Sequence, residues 1–130
     1  MNEEYQQEDA PHEPRFYFSL QHNNWVLASN VIYKGNGIKL FIRQGFVTDL
    51  ASVPFYLRPI INNTGRYNLA ATVHDRLYSS FGVLPNGKVL TRQLCDKIFY
   101  DIMIDDGVSP LTAKAMWLGV ATYPPNFFLF

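Results

Sequence analysis

The chain has little cysteine and no long apolar run, and both shortages limit what it can be. Its 130 residues include one cysteine, Cys95, so an internal disulfide framework is excluded and stability must come from packing or from a bound ion. No apolar run approaches the roughly 20 residues of a membrane span. The apolar segment 126–130 is far too short to span, and we expect it to dock on the core, on a partner or at a membrane surface.

The chain has no formal net charge, but its charged residues are unevenly distributed. The formal net charge is zero, yet residues 1–13 contain five of the eleven acids and no Lys or Arg. This acidic start lacks the apolar core of a signal peptide, so none is expected. The basic remainder favours acidic partners only weakly, and no nucleic-acid motif accompanies it, so we expect no nucleic-acid partner. We interpret 1–14 as a flexible acidic arm and 15–130 as a single α+β domain.

The first third of the domain has the pattern of an antiparallel sheet. Segments 15–20, 25–34 and 38–47 are rich in apolar and aromatic residues. In the third, Ile38, Leu40 and Ile42 alternate with Lys39, Phe41 and Arg43, a period of two. Gly35-Asn36-Gly37 predicts a hairpin between the last two segments, and Asn23-Asn24 suits the earlier turn.

The second half of the domain has the pattern of helices. The first is predicted at about 67–80 and ends at Gly82. One side of it carries Ala70, Val73, His74, Leu77, Tyr78 and Phe81. The second can begin with Thr91 as N-cap, and the third with Ser109 as N-cap and Pro110 in the first position. We therefore predict an N-terminal antiparallel sheet, built from hairpins, packed against a bundle of about three helices.

Chemistry-bearing residues lie on the first two predicted helices. His74 falls within an apolar stripe, with Asp75 at its edge, and Asp96 lies at the border of the stripe on the second helix. A short connection makes these helices adjacent and antiparallel, so Asp96 can reach the ring of His74. One ring nitrogen would then donate to Asp96 and the other could take a proton from water. Tyr78, one turn after His74, can donate its hydroxyl to Asp96.

Each of these residues also has an ordinary structural explanation. A lone buried histidine such as His74 is more often a satisfied core residue, and Asp75 could be a solvated helix residue. Asp96 could pair with Arg92 or Tyr100 at helical spacing. Cys95 has no obvious base partner, and we expect it in the core.

Asp75 could instead hold a metal ion beside the histidine. One carboxylate is a poor site for calcium or magnesium, because such ions take several oxygen ligands. The segment Thr48–Ser52 is the best source of further oxygens, with Asp49 as its acid. The alternative for this segment is an Asx or Ser turn that closes a strand.

The pattern Ala-Ala-x-x-His-Asp-x-x-Tyr, followed by Cys-Asp-x-x-Phe on a second helix, resembles calcium-dependent phospholipases A(2). The match is closer to the disulfide-free version in parvovirus capsid proteins than to the secreted enzymes, over about residues 67–104. The resemblance implies that His74 activates water, that Asp75 binds calcium, that Asp96 orients His74, and that Tyr78 supports Asp96. That family takes calcium-binding carbonyls from a Gly-rich loop, where this chain has one glycine in Asn62–Tyr67.

A longer stretch, from about residue 40 onward, resembles a phage-borne family of unknown function, DUF1353. The residues that carry it are the segment 45–54 (Gly-Phe-Val-Thr-Asp-Leu-Ala-Ser-Val-Pro), then His74, Asp75 and Tyr78, then Asp96, Phe99 and Met103. The resemblance implies a bacteriophage or prophage origin and supplies no activity. It also places the Asp49 segment with the His-Asp pair.

Two functions remain open from the sequence. The first is a phage-encoded hydrolase in which His74 and Asp96 activate water, Asp75 and Asp49 hold a divalent cation such as calcium, and the substrate is an ester or amide of the host envelope. Phospholipid is the first expected substrate and peptidoglycan the second. The second function is a non-enzymatic virion or tail-associated module with a buried His-Asp-Tyr network. Either would act in the virion or in the host cytoplasm.

Overall fold

The computed structural model describes residues 14–48 and 67–122. Within them lie, in chain order, β1 (Phe16–Ser19), β2 (Asn24–Leu27), β3 (Val31–Gly35), β4 (Ile38–Ile42), β5 (Val47–Thr48), α1 (Asn68–Ser79), α2 (Arg92–Asp105) and α3 (Pro110–Ala121). Antiparallel strands followed by three helices confirm the predicted α+β class. Asp49, nearly all of the predicted arm and the segment 126–130 lie outside the described residues. Among the helices described, none combines the length and apolar character that a membrane crossing needs.

The strands form two sheets where one continuous sheet was predicted. A three-stranded sheet has the order β1-β2-β5, and β3 pairs with β4 in a separate ribbon. The single strand predicted over 25–34 is wrong, because the chain leaves one sheet after Leu27 and enters the other at Val31. The strand predicted over 38–47 is also broken, because β4 ends at Ile42 and β5 begins at Val47. Within this break the backbone of Gln44 donates a hydrogen bond to the side chain of Asn30 (2.9 Å), which lies in the first break. The side chain at the first break therefore satisfies a backbone amide at the second.

Both hairpins turn where the sequence predicts. In the β3–β4 hairpin Gly35 pairs with Ile38, which leaves Asn36 and Gly37 as the two turn residues. Their φ angles are both positive, 51° and 75°, as a two-residue turn of type I′ requires. Asn23, in the β1–β2 turn, also has a positive φ of 51°. Because the twist of a type I′ turn matches that of its strands, the Asn36-Gly37 turn fixes the register of β3 and β4.

The second and third helices begin at the predicted caps. The hydroxyl of Thr91 accepts a hydrogen bond from the backbone of Leu94 (3.1 Å). The hydroxyl of Ser109 accepts one from the backbone of Thr112 (3.3 Å), and a proline occupies the first turn of that helix. Each cap satisfies an amide that has no partner within its helix.

The end of α1 differs from the prediction at one side chain. The backbone of Gly82 donates to Leu77 (2.9 Å), which closes the helix, but Phe81 already has a left-handed φ of 56°. This turn of the backbone carries Phe81 off the apolar face, and its side chain is 54% exposed. Its predicted place in the buried stripe is therefore wrong.

One apolar core joins the strands to the helices. Its fully buried members include Leu27, Val31, Leu40, Ile42, Val73, Leu77, Ile98, Phe99, Ile102, Met103, Ala113 and Met116. Helix α2 packs against both α1 and α3, and α1 also contacts β4 and β5. Because α2 has a helix on two sides, a polar side chain on its inner surface is removed from water.

We expect Thr91→Ala to lower the free energy of unfolding by about 1 kcal/mol, because the capped amide at the start of α2 loses its acceptor. Urea titration followed by circular dichroism measures this change. Thr91→Ser is the control, since it keeps a hydroxyl in the same place. Equal destabilisation by both substitutions would contradict a capping role.

Candidate functional site

The structure brings His74 of α1 and Asp96 of α2 into direct contact. A hydrogen bond of 2.8 Å joins His74 Nε2 to Asp96 Oδ1. Only 4% of His74 and 3% of Asp96 is exposed. Asp96 was predicted at the border of the helix stripe, but it is buried because α1 and α3 flank α2. The pair therefore lies inside the helix bundle.

An antiparallel helix pair produces this contact. Along α1 the partners on α2 fall in reverse order: the ring of Tyr67 packs on Phe99, His74 bonds Asp96, and Tyr78 bonds Arg92. The predicted packing of these two helices is thus present. Helical spacing then places His74 and Tyr78 on one face, one turn apart, so that both can reach a single carboxylate on α2.

Tyr78 gives Asp96 its second donor. The tyrosine hydroxyl donates to Asp96 Oδ1 over 2.6 Å, so this oxygen accepts from both Tyr78 and His74. Burial raises the pKa of Tyr78 well above its usual value, and the hydrogen bond and negative charge of Asp96 raise it further. The hydroxyl therefore stays protonated at neutral pH and remains a donor.

Arg92 extends the network to the third helix. Its Nε donates to the Tyr78 hydroxyl (3.1 Å) and lies 3.8 Å from Asp96 Oδ2. One terminal nitrogen of the same guanidinium donates to the backbone carbonyl of Val120 at the end of α3 (2.8 Å). The spacing of four residues between Arg92 and Asp96 predicted their approach, but nothing in the sequence predicted the hydrogen bond from Arg92 to α3.

Charge complementarity makes this burial tolerable. An ionised carboxylate removed from water is very unfavourable unless donors and an opposite charge surround it. Asp96 has two donors on one oxygen and the Arg92 guanidinium near the other. The arrangement therefore compensates the carboxylate on both of its oxygens.

The hydrogen bond to Asp96 also decides which nitrogen of His74 can act as a base. A carboxylate only accepts hydrogen bonds, so Nε2 carries the proton and Nδ1 holds a lone pair in the neutral ring. The rings of Tyr78 and Phe99 lie 4.2 and 4.7 Å from the imidazole, centroid to centroid, and restrict its rotation. Chemically, this is an oriented imidazole whose second nitrogen can take a proton.

The predicted metal ligands are only partly within the described residues. Asp75 lies half-buried on α1, next to His74, and Asp49 is outside the described ranges. Over 14–48 and 67–122 no group of three or more His, Cys, Asp or Glu residues could hold a metal ion. Asp75 alone does not fit a calcium site, because calcium takes six to eight oxygen ligands. We therefore assign no chemical step to a metal.

Fold and site together define a small α+β domain with a buried His-Asp-Tyr network between two antiparallel helices. The chain belongs to the family described as "Protein of unknown function (DUF1353)", whose model matches residues 25–120. The matched region runs from β2 into α3 and includes His74, Tyr78 and Asp96. The predicted family membership is thereby confirmed. Neither the curated proteins nor the solved structures contain a match to the chain.

Cys95 lies beside Asp96 and belongs to the core, as predicted. It is fully buried, and burial together with the nearby charge of Asp96 raises the pKa of its thiol to about 12. The thiol is therefore neutral and poorly nucleophilic at physiological pH.

We expect native Cys95 to react with a thiol reagent near pH 8.5 on the order of 1,000-fold more slowly than the urea-unfolded chain, because each pKa unit is tenfold in thiolate. The pKa of the Cys95 thiol is higher in the folded than in the unfolded chain. Burial of the neutral thiol therefore contributes its full stability at pH values below the unfolded pKa. That stability is lost as pH rises towards about 12. Absorbance assays of thiol release measure the rates, and similar rates in both states would contradict this environment.

Proposed function

We propose that this protein is a phage-encoded hydrolase in which His74, oriented by Asp96, activates water. The substrate is an ester or amide of the host envelope, with phospholipid first and peptidoglycan second. The observation that carries the proposal is the 2.8 Å bond between His74 Nε2 and Asp96 Oδ1, supported by the Tyr78 hydroxyl at 2.6 Å. It leaves Nδ1 as the basic atom of an oriented imidazole.

The chemistry follows from this arrangement. Nδ1 takes a proton from a water molecule while the water oxygen bonds to the carbonyl carbon of the substrate. The imidazolium is stabilised by Asp96, which Tyr78 holds in place. The tetrahedral intermediate then collapses, the bond to the leaving group breaks, and Nδ1 returns its proton to that group. General-base catalysis of this kind contributes about 10²–10⁴-fold in rate.

The resemblance to calcium-dependent phospholipases supports phospholipid as the first substrate. That family has the same residue types in the same order: a His-Asp pair, a tyrosine one turn later and an aspartate on the next helix. By that likeness Asp75, with Asp49, would bind calcium, which would polarise the ester carbonyl. Phage origin rests on the likeness to a phage-borne family, and a virion, tail or host-envelope setting goes with it.

A second candidate is a virion or tail-associated structural module without catalysis. Two observations favour it: His74 and Asp96 are nearly fully buried, and Arg92 links their network to Val120 on α3. On this reading the polar groups hold three helices in one arrangement. Removing one partner then leaves a buried group unpaired, which costs about 1–3 kcal/mol or more for a charged group.

His74→Gln separates the two candidates. A glutamine amide can still donate to Asp96 but cannot accept a proton as a base. For a hydrolase we expect turnover of labelled phospholipid vesicles to fall about 10²–10⁴-fold while unfolding by urea changes little. Retained turnover in this variant would refute the mechanism.

His74→Ala is the companion variant. If wild type hydrolyses neither vesicles nor peptidoglycan, and His74→Ala lowers the free energy of unfolding by several kcal/mol, the structural module is the better account. Tyr78→Phe, which removes only one donor to Asp96, should then lie between wild type and His74→Ala in stability.

We expect calcium to raise the thermal midpoint of wild type and to have no effect on Asp75→Asn. A ligand of the native state stabilises it by mass action, about 2.7 kcal/mol at a hundred times its Kd. Magnesium, manganese and zinc test selectivity, and Asp105→Asn is a control that removes an exposed acid at the far end of α2. No shift with any metal would refute the proposed calcium site at Asp75.

A further inference from the structure

Arg92 occupies a position where a helix does not favour a cation. It lies in the first turn of α2, directly after the N-cap Thr91. The amides at this end of a helix carry partial positive charge, so acids are preferred there and cations are disfavoured. The Arg92 side chain is nevertheless only 13% exposed. A buried cation at the unfavourable end of a helix is a local conflict, and such conflicts mark residues with a further role.

The guanidinium of Arg92 bonds two groups at once. Its Nε donates to the Tyr78 hydroxyl (3.1 Å), and a terminal nitrogen donates to the backbone carbonyl of Val120 in the last turn of α3 (2.8 Å). The guanidinium is planar and rigid, so the bond to Val120 also fixes the direction in which Nε points. The end of α3 thereby directs a donor at the oxygen of Tyr78.

The direction of each further hydrogen bond follows from that donor. Arginine only donates, so the phenol oxygen of Tyr78 accepts from Arg92 and its single proton goes to Asp96 Oδ1 (2.6 Å). The same carboxylate oxygen accepts from His74 Nε2 (2.8 Å), which leaves the lone pair of the neutral ring on Nδ1. One directed chain of hydrogen bonds therefore runs from Val120 to the imidazole.

Arg92 reaches Asp96 through Tyr78 rather than directly. Arg92 Nε lies 3.8 Å from Asp96 Oδ2, which is beyond hydrogen-bond distance, whereas both bonds through Tyr78 are within it. Burial and Asp96 raise the pKa of Tyr78, and the hydrogen bond and charge of Arg92 lower it. This opposing effect is the one expected of a donor directed at the phenol oxygen.

We propose that Arg92 is a positioning residue that acts on His74 through Tyr78. By donating to the phenol oxygen it holds the Tyr78 hydroxyl on Asp96. Asp96 in turn holds the imidazole of His74 with its proton on Nε2 and its lone pair on Nδ1. The consequence for turnover rests on the proposed hydrolase function, whereas the consequence for the tautomer of His74 does not.

Nitrogen-15 NMR of the imidazole measures the tautomer, which a merely structural tie to α3 does not set. In wild type we expect the neutral ring of His74 to carry its proton on Nε2. In Arg92→Met the Tyr78 hydroxyl loses its donor and rotates more freely. The population with the proton on Nδ1 should therefore increase by about ten-fold, the effect of one hydrogen bond to a charged group. His74→Gln assigns the signals, since the chain has two other histidines.

Lys97→Met is the matched control. It removes a cation from the same helix, but the Lys97 ammonium is exposed and bonds Asp101 (2.6 Å) and Asn36 (3.1 Å). These bonds lead away from His74, so we expect its tautomer to be unchanged. Thermal unfolding verifies that each variant is folded.

A double-mutant cycle with Tyr78→Phe tests the route. Tyr78→Phe removes the hydroxyl that relays the effect, so by itself it should shift the tautomer of His74 at least as much as Arg92→Met. In the Tyr78→Phe background, Arg92→Met should have little further effect. An equal effect of Arg92→Met in both backgrounds would overturn the proposal, because Arg92 would then act on Asp96 by charge alone. An unchanged tautomer in Tyr78→Phe would also overturn it, and this result needs no Arg92 variant to fold.

Turnover of labelled phospholipid vesicles separates this inference from the proposed function. We expect Arg92→Met to lower kcat about ten-fold with little change in KM, because a positioning residue acts on the base and not on the substrate. Wild-type turnover together with a wild-type tautomer in Arg92→Met would refute the positioning role and leave the hydrolase standing. Absence of turnover in wild type, with the tautomer shifted in Arg92→Met, would refute the hydrolase and support the positioning role.

Discussion

A carboxylate buried among three helices is the constraint on which the rest of this structure depends. Asp96 is stable there only because His74 and Tyr78 donate to one of its oxygens and the Arg92 guanidinium lies near the other. These donors come from α1 and from the first turn of α2, and Arg92 also bonds Val120 of α3. Satisfying one charge therefore sets the relative positions of all three helices.

The same hydrogen-bond network would serve a catalytic function and a structural function equally well. Orienting an imidazole for base chemistry requires a fixed acceptor at Nε2, and a fixed acceptor in an apolar interior must itself be held by further donors. Tyr78 and Arg92 supply those donors. The hydrogen bonds that prepare His74 also connect the helices, so stability and chemistry have to be separated by substitutions that keep the donor and remove only the base.

Much of the local structure, and the choice of candidate residues, followed from the sequence. Thr91 and Ser109 cap helices because short hydroxyl side chains accept from amides that a helix leaves unpaired. The Asn36-Gly37 turn follows from the two positive φ angles that a tight hairpin needs. Helical spacing put His74 and Tyr78 on one face, and a short connection brought α2 alongside. Each inference depends on a few neighbouring residues.

By itself, then, the sequence determined the class of the fold, the positions of turns and caps, and the candidate pairing of His74 with Asp96. Tertiary structure decided the split of the strands into two sheets, at the point where the side chain of Asn30 accepts a hydrogen bond from the backbone of Gln44. It also decided the depth of Asp96 and the bond from Arg92 to α3. The reason is physical: propensity and periodicity act within one or two turns of chain, whereas burial and distant hydrogen bonds depend on which segments pack together in the folded molecule.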